Sequence, residues 1–215
     1  MDDPLSVPVN APERAPSGHP VQVTHGNLIV VTGPPGAGKT TVARLIADAL
    51  SPSVHLHSDD FWNYIRNGRI APYLPESTKQ NELVMHIVAQ AASGYARAGY
   101  HVIVDGIVGP WFIGVFRKLT AEGDLSLHYI VLRPDESIAV DRARGRGAPA
   151  LTDDGPVRKM YAEFSGLGTF EAFVLDSSRQ TPDETARLVR ERVAAGSHRL
   201  TSDSQEQSAE RPLRS

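Results

Sequence analysis

The chain has 215 residues, a length that favours one domain with at most a small appendage. Its 40% hydrophobic and 22% charged residues are ordinary for a soluble globular protein, and its net charge of −3 gives no electrostatic reason to expect a nucleic-acid partner. The absence of cysteine excludes disulfides, thiolate metal sites and a cysteine nucleophile. No apolar run approaches the ~20 residues of a membrane span, and the acidic N-terminus does not resemble a signal peptide, so we expect a cytoplasmic protein with no membrane partner.

Proline recurs through the first 20 residues, at Pro4, Pro8, Pro12, Pro16 and Pro20. Because few large apolar residues separate these prolines, we expect residues 1–21 to be a disordered, Pro-rich tail. A polyproline segment that docks on aromatic side chains elsewhere is the alternative. The polar residues 197–215 are expected to be a flexible C-terminal tail, which leaves one domain over residues 22–196.

A glycine-rich motif lies between the first predicted strand (27–32) and the first predicted helix (41–50). It matches G-x-x-x-x-G-K-[ST] at each fixed position, as Gly33-Pro34-Pro35-Gly36-Ala37-Gly38-Lys39-Thr40. In such a loop, backbone N–H groups and a helix N-terminus surround phosphate oxygens. A Gly/Pro turn that happens to contain a lysine is the alternative, but the strand before it and the helix after it favour a P-loop.

The motif assigns a role to each of its residues. We expect ATP phosphates to contact Gly33, Pro34, Pro35, Gly36, Ala37, Gly38, Lys39, Thr40 and Thr41. Lys39 is expected to reach the β- and γ-phosphates and to act in catalysis, and the Thr40 hydroxyl is expected to bind Mg²⁺.

Strands and helices are predicted to alternate along the rest of the chain. Further strands are predicted at 54–58, 100–105, 125–132 and 173–175, and helices at 76–98, 111–119, from 135, at 156–164 and after Thr181. The alternation predicts an α/β fold with a mostly parallel five-stranded sheet covered on both faces. On the long helix, the residues predicted to lie on or near one face are Leu83, Ile87, Val88, Ala91 and Tyr95.

Acidic residues follow two of the predicted strands, at the edge where ligands bind in such sheets. Phosphoryl transfer to an alcohol needs a carboxylate that orients the hydroxyl and accepts its proton, and we assign this role to Asp59. Asp60 is expected to cap the next helix or to support the substrate site, and a capping role for either residue is the alternative. Asp105 resembles a Walker B aspartate and is expected to bind metal or substrate, whereas the alternative is a cap for the turn at Gly106.

An arginine cluster ends the helix that begins at 135. Arg142, Arg144 and Arg146 alternate with small residues, and Gly145 and Gly147 would let the segment close over a nucleotide. We expect a lid in which Arg142 and Arg146 are the candidate catalytic residues, with Arg142 also touching ATP. Basic residues that simply complement a helix C-terminus are the alternative.

The segment 61–80 mixes aromatic residues, arginines and prolines, and we expect it to bind the phosphate acceptor. Its candidate substrate-binding residues are Trp62, Arg66 and Tyr73, together with Asp59, Asp60 and Asp105. A surface connection with a few buried rings is the alternative. The histidines at 55, 57, 86, 101 and 128 lack metal-ligand spacing, and we assign them no catalytic role.

These motifs together resemble the small P-loop kinases of the chloramphenicol phosphotransferase, zeta-toxin and shikimate/gluconate kinase type over residues 25–195. The resemblance implies a three-layer P-loop NTPase fold like that of nucleoside kinases, an arginine-bearing lid, and a catalytic base at Asp59. It also implies that Asp176-Ser177-Ser178 lines the adenine. The chain lacks the Gly-Asp-x-x-His of gluconate kinases, the Asp-x-Asp of shikimate kinases and the Asn-Lys-x-Asp of guanine-binding proteins, so we expect ATP and a different acceptor.

The resulting hypothesis is an ATP-dependent phosphotransferase that acts on a hydroxyl of a small molecule, such as an antibiotic or another natural product. One alternative is a toxin-like kinase of nucleotide-sugars. Another is a regulatory ATP-binding switch with no small-molecule acceptor. The arginines within the chain favour a kinase, because switches and motor ATPases usually depend on arginines from a partner.

Overall fold

A computed structural model describes residues 25–122, 124–145 and 154–201. The expected Pro-rich tail at 1–21 lies outside these ranges. The described residues contain one five-stranded sheet with the order β2-β3-β1-β4-β5, and each pair of neighbouring strands is parallel, so the sheet is wholly rather than mostly parallel. The strands are β1 (Leu28–Thr32), β2 (Ser53–His57), β3 (His101–Asp105), β4 (Leu127–Leu132) and β5 (Val174–Leu175).

Helices connect these strands and cover both faces of the sheet. They are α1 (Lys39–Asp48), α2 (Ser58–Asn63), α3 (Thr78–Arg97), α4 (Pro110–Ala121), α5 (Glu136–Arg144), α6 (Asp154–Glu163) and α7 (Pro182–Ala194). Short 3-10 helices occur at Pro75–Ser77 and Gly168–Phe173. None of the helices in the described ranges is both long enough and apolar enough to cross a bilayer.

The central strand β1 shows why the fold has three layers. All five of its residues are buried, as expected for a parallel strand covered on both faces. Leu28 and Val30 pack into a core that includes α3 and α4, whereas Ile29 and Val31 pack into a second core with α1 and α7. Because side chains alternate along a strand, one apolar run supplies both cores.

Helix α3 buries a different face from the one predicted. Leu83 and Tyr95 are 59% and 45% exposed, and Ile87 is exposed as well, whereas the neighbouring Val84 and Val88 are buried. The buried face consists of Val84, Met85, Val88, Ala89, Ala92, Ser93 and Ala96. Small side chains dominate it, which allows the helix to pack closely against the sheet. Of the predicted face, Val88 lies in the core.

The packed domain extends beyond residue 196, its predicted end. The N–H of Tyr129 donates to His198 O at 2.9 Å, and the N–H of Leu200 donates to Leu127 O at 2.8 Å. These bonds place 198–200 antiparallel beside the first half of β4, where the two-residue β5 does not reach. At least 198–200 therefore belong to the fold rather than to a flexible tail.

Candidate active site

The glycine-rich motif forms a loop between β1 and α1 at the carboxyl edge of the sheet. Gly38 is the N-cap of α1 and has a φ of 88°, a left-handed conformation that glycine adopts without steric cost. The first turn of α1 contains no acidic residue, so its N–H groups and positive dipole end are available to an anion. The Lys39 side chain lies in the loop, where Nζ donates to Pro34 O at 3.0 Å.

A cavity of about 330 Å³ adjoins the loop. It is lined by Gly36, Ala37, Gly38, Thr41, Val42, Arg142, Ser177, Gln180, Pro182 and Thr185. Several of the expected nucleotide contacts, including Arg142, therefore share one cavity with Ser177 of the stretch expected to line adenine. The Oγ atom of Ser177 is buried and has no hydrogen-bond partner within the described residues.

The arginines expected in the lid have different environments. Arg142 lines the cavity. Arg144 forms a two-point ion pair with Asp154 at the start of α6 and a second pair with Asp141 at 3.3 Å. Because Asp154 begins α6, its ion pair with Arg144 connects α5 to α6. Arg146 and Gly147 lie outside the described residues.

Asp105 ends β3 as a fully buried carboxylate that contacts the P-loop helix. The Thr40 hydroxyl donates to Oδ2 of Asp105 at 2.6 Å, which brings together the two expected metal ligands. Burial alone would raise the pKa of the Asp105 carboxyl, but hydrogen bonds from three neighbouring side chains outweigh it and hold the pKa well below its ordinary value. The carboxylate is therefore charged at neutral pH.

The other two side chains that contact Asp105 belong to histidines for which no catalytic role is predicted from the sequence. His55 Nε2 lies 2.6 Å from Oδ1, and His57 Nδ1 lies 3.1 Å from each carboxylate oxygen. His55 and His57 share one face of β2, and the parallel register pairs His57 with Asp105. The hydrogen bond to Asp105 and the charges of that residue, Asp59 and Asp60 raise the pKa of His57 against the opposing effect of burial. In the sequence, these two histidines are indicated by a His-x-His alternation on one strand next to a strand that ends in an aspartate.

Asp59 and Asp60 lie in the first turn of α2, which begins directly after β2. The Asp59 side chain is 67% exposed, and its Oδ2 lies 3.7 Å from Nε2 of His57. Neither aspartate caps the helix, because the N-cap is His57 and no side chain closes it. The expected capping role of Asp60 is therefore wrong, although both carboxylates lie at the positive end of the helix dipole.

The start of α2 lies very close to the end of β3. A Cβ atom added at Gly106 would come within 1.8 Å of Ser58 Oγ, so any larger residue there would push the two segments apart. Glycine thus allows the chain just before Asp59 to pack against the chain just after Asp105. The acidic residues after the two strands are in this way brought together at one edge, as predicted.

The remaining candidates, on α2 and on the connection after it, are one buried and two exposed side chains. Trp62 is 4% exposed, and its Nε1 donates to Asn81 Oδ1 at 3.0 Å, so most of its ring belongs to the core, and its contact with an acceptor stays a prediction. Arg66 and Tyr73 are exposed, and Tyr73 reaches 64%. The backbone that carries them is attached to α3 through the hydrogen bonds of Gln80 to Ile70.

Comparison with known proteins gives a family match and structural neighbours. Residues 28–167 match the family model described as AAA domain. The tunicamycin resistance protein from Deinococcus radiodurans has a TM-score of 0.58 at 19% identity, over 78% of this chain and 95% of that one. Shikimate kinase from Acinetobacter baumannii has a TM-score of 0.58 at 17% identity, over 80% and 96% of the two chains. At such identities the likeness shows the fold alone.

Among curated proteins, a cytidylate kinase from Archaeoglobus fulgidus is 27% identical over 86 residues, which cover 40% of this chain and 48% of that protein. The chain spans about half the length of the curated relatives it matches. The structural neighbours confirm the resemblance to P-loop kinases and the α/β fold with a five-stranded parallel sheet. Because the family match covers well over half of its residues, the chain belongs to the AAA domain family, within which it has a P-loop kinase fold.

Proposed function

We propose that the chain is an ATP-dependent phosphotransferase that transfers the γ-phosphate to a hydroxyl of a small molecule. The observation that carries this proposal is a continuous set of side chains from the P-loop to an exposed carboxylate. Thr40 contacts the buried Asp105, Asp105 contacts His57, and His57 faces Asp59. The set joins a nucleotide-binding loop to a group that can meet an acceptor.

The nucleotide end fits ATP. Phosphates would contact the loop from Gly33 to Gly38 and the N-terminal turn of α1, and the base would enter the cavity that Ser177 and Gln180 line. Lys39 would turn from its contact with Pro34 towards the β- and γ-phosphates. In this role the lysine would offset the negative charge that the β–γ bridging oxygen gains as its bond to the γ-phosphorus breaks.

The Thr40 hydroxyl and the Asp105 carboxylate are hard oxygen ligands of the type that Mg²⁺ prefers. In the described part of the chain, no group of three or more His, Asp or Glu side chains could hold a metal ion by itself. This fits a Mg²⁺ ion shared between few protein ligands and the phosphates, as is usual for nucleotide sites. When bound, Mg²⁺ neutralises charge on the phosphate oxygens.

Asp59 is the group best placed to act on the acceptor. Its carboxylate is exposed at the carboxyl edge of the sheet, whereas Asp105 is fully buried. An acceptor hydroxyl can therefore reach Asp59, which would orient the hydroxyl and take up its proton as the oxygen attacks phosphorus. The exposed side chains of Arg66 and Tyr73, on the connection after α2, are candidate contacts for the rest of the acceptor.

Arg142 is the candidate that would meet charge on the transferred group from the side of α5. The structural likeness to a tunicamycin resistance protein motivates antibiotics as the first acceptors to test. The same test would show whether the chain is instead a kinase of nucleotide-sugars.

A screen of Mg-ATP consumption against hydroxylated antibiotics and sugar nucleotides tests the proposal. Mass spectrometry of the reaction products would identify a phosphorylated acceptor, and the Lys39→Ala protein would serve as the inactive control. We expect ATP consumption to rise with one acceptor class and its phosphorylated form to accumulate. ATP binding without transfer to any acceptor in both classes would instead support a regulatory switch.

A further inference from the structure

The cavity beside the P-loop has an amide side chain in a defined position on its wall. Gln180 is half-buried and lines the cavity, and its Oε1 accepts a hydrogen bond of 3.1 Å from the hydroxyl of Thr185. Thr185 is 2% exposed, and its hydroxyl hydrogen is shared between Gln180 and the carbonyl of Thr181, 2.9 Å away. One end of the Gln180 amide is therefore tied to a buried group.

The backbone around this contact is also well ordered. Helix α7 begins with a capping box, in which Thr181 Oγ1 accepts from the N–H of Glu184 and the Glu184 carboxylate accepts from the N–H of Thr181. Pro182 occupies the first turn of the helix, where its ring fixes the backbone φ. Gln180 directly precedes this capped turn, so its position on the cavity wall is set before a ligand binds.

The Gln180 amide has further hydrogen-bonding capacity. Within the described part of the chain, the Thr185 hydroxyl is the one hydrogen-bond partner of this side chain. Both N–H groups of Nε2 and one lone pair of Oε1 are therefore left for a ligand. Ala37, Val42 and Pro182 give the same cavity apolar surface. Apolar walls with a few fixed polar groups suit a flat ring whose edge meets the amide.

An amide that offers a donor beside an acceptor matches the edge of adenine. The 6-amino group of adenine donates a hydrogen bond and a neighbouring ring nitrogen accepts one, so a glutamine amide can form both bonds with it. Guanine has a carbonyl oxygen in place of this amino group, which would bring a second acceptor against Oε1. Because Thr185 fixes which end of the amide is the oxygen, the amide cannot turn over to suit guanine.

We propose that Gln180 selects adenine nucleotides over guanine nucleotides, by accepting from the 6-amino group of the base, and that Thr185 is a positioning residue that fixes the orientation of the Gln180 amide. The inference rests on the nucleotide-binding part of the proposed function. It assigns the choice of nucleotide to two side chains on the wall of the cavity, outside the P-loop.

The first experiment measures the binding of Mg-ATP, Mg-GTP and magnesium tripolyphosphate by calorimetry, with the full chain and no acceptor. We expect the wild-type chain to bind ATP about 10- to 100-fold more tightly than GTP, the range for one well-matched amide–base pair. Gln180→Leu removes the amide at similar volume, so it should lower the affinity for ATP by that factor. The affinities for GTP and tripolyphosphate should not change. Gln90→Leu, on the exposed face of α3, is the control and should alter none of the three.

The second experiment tests the positioning role of Thr185. Thr185→Val removes the hydroxyl at similar volume, and the Thr181 carbonyl keeps its 3.0 Å bond from the N–H of residue 185. The amide is then free to rotate, so the preference for ATP over GTP should fall about two- to tenfold, the entropy cost of ordering one long side chain. Thr185→Ser retains the hydroxyl and should keep the preference. A role in packing alone would give the opposite order, because Val fills the space of Thr better than Ser does.

Equal affinities of the wild-type chain for ATP and GTP would overturn the proposal. A loss in Gln180→Leu that is the same for ATP, GTP and tripolyphosphate would overturn it as well, because the tripolyphosphate carries no base. An unchanged preference in Thr185→Val would remove the positioning role. If the wild-type chain bound none of the three, the nucleotide site itself would fail and this inference with it. A preference for ATP that depends on Gln180, without transfer to any acceptor, would support the inference and contradict only the phosphotransferase function.

Discussion

The Thr40 hydroxyl donates a 2.6 Å hydrogen bond to Oδ2 of Asp105, 65 residues later in the chain. The bond joins the first turn of α1 to the end of β3 and keeps a charged carboxylate beside the P-loop. If this pair holds Mg²⁺, Asp105→Asn should weaken Mg-ATP binding at least about tenfold while ATP binding in the presence of EDTA stays the same. Calorimetry with and without Mg²⁺ measures both. Asp48→Asn, at the exposed end of α1, is the control, and a preserved Mg²⁺ effect in Asp105→Asn would remove the metal assignment.

Replacing Lys39 by Ala should weaken Mg-ATP binding by about 1.5–3 kcal/mol, the usual contribution of a hydrogen bond to a charged group. The fold should persist, because the β1 and α1 cores do not depend on this side chain. Calorimetry measures the affinity, and circular dichroism checks the fold. The exposed Lys118 on α4, changed to Ala, should bind ATP normally. A folded Lys39→Ala protein with wild-type affinity would contradict the nucleotide site.

Arg142 and Arg144 have different environments, because Arg142 lines the cavity and Arg144 pairs with carboxylates. Arg142→Ala should slow phosphoryl transfer by about 10³–10⁵-fold, the range for an arginine that meets transition-state charge. Arg144→Ala should leave turnover near normal, because Arg144 pairs with Asp154 and Asp141. Single-turnover rates with saturating Mg-ATP compare the two variants. Equal losses in both would mean that the α5–α6 link, rather than Arg142, governs the reaction.

Asp59→Asn keeps size and hydrogen bonding but loses the proton acceptor. Transfer should fall about 10²–10⁴-fold, the typical contribution of a general base, while Mg-ATP still binds. Asp60→Asn is the matched control, since it removes a neighbouring carboxylate from the same helical turn. It should affect stability slightly through the helix dipole and leave transfer largely intact. If Asp60→Asn loses activity and Asp59→Asn does not, Asp60 is the base. Full activity in both variants would show that the base does not lie on α2.

Much of this fold follows from the sequence because its signals are local. The P-loop motif lies between a strand and a helix, and α7 begins after Thr181 as predicted, with a capping box formed by Thr181 and Glu184. Alternating strands and helices force a parallel sheet, which gathers the strand ends at one edge. That reasoning placed Thr40 and Asp105 together, and the structure finds them in contact.

Predictions from the sequence fail where long-range packing, rather than a local pattern, decides which side chains are buried. Helix α3 has adjacent apolar pairs such as Leu83-Val84 and Ile87-Val88, so its sequence permits two buried faces. Close packing of small residues against the sheet selects the second member of each pair. The Trp62 ring packs into the core, and its indole N–H donates to Asn81, a partner 19 residues away. His57 meets Asp105 through the register of two strands far apart in sequence, which the His-x-His alternation does not specify by itself.

The stability of the fold should depend on pH through His128 on β4. Burial, together with the charges of Arg199 and His198, lowers the pKa of His128 to about 4 from 6.5. Between these values the unfolded chain binds a proton that the folded chain does not, so the free energy of unfolding should fall as the pH falls below 6.5. The slope is at most about 1.4 kcal/mol per pH unit for one proton.

The measurement is urea denaturation across that window. Burial also lowers the pKa of His198, which adds to the fall in stability. His128→Asn should flatten the slope, whereas the same change at the exposed His86 should leave it intact. A slope unaffected by His128→Asn would show that other groups control the pH dependence.

The bonds of His198 and Leu200 to β4 also cover backbone groups at the edge of that strand. Without them, the N–H of Tyr129 and the carbonyl of Leu127 would face outward beside the short β5 as an open strand edge. Such edges recruit strands from neighbouring molecules. A shortened version ending at Gly196 would keep the P-loop, the sheet and all seven α-helices of the described residues, yet it would offer a template for intermolecular pairing. These few residues thus cover a part of the β4 edge that β5 does not reach.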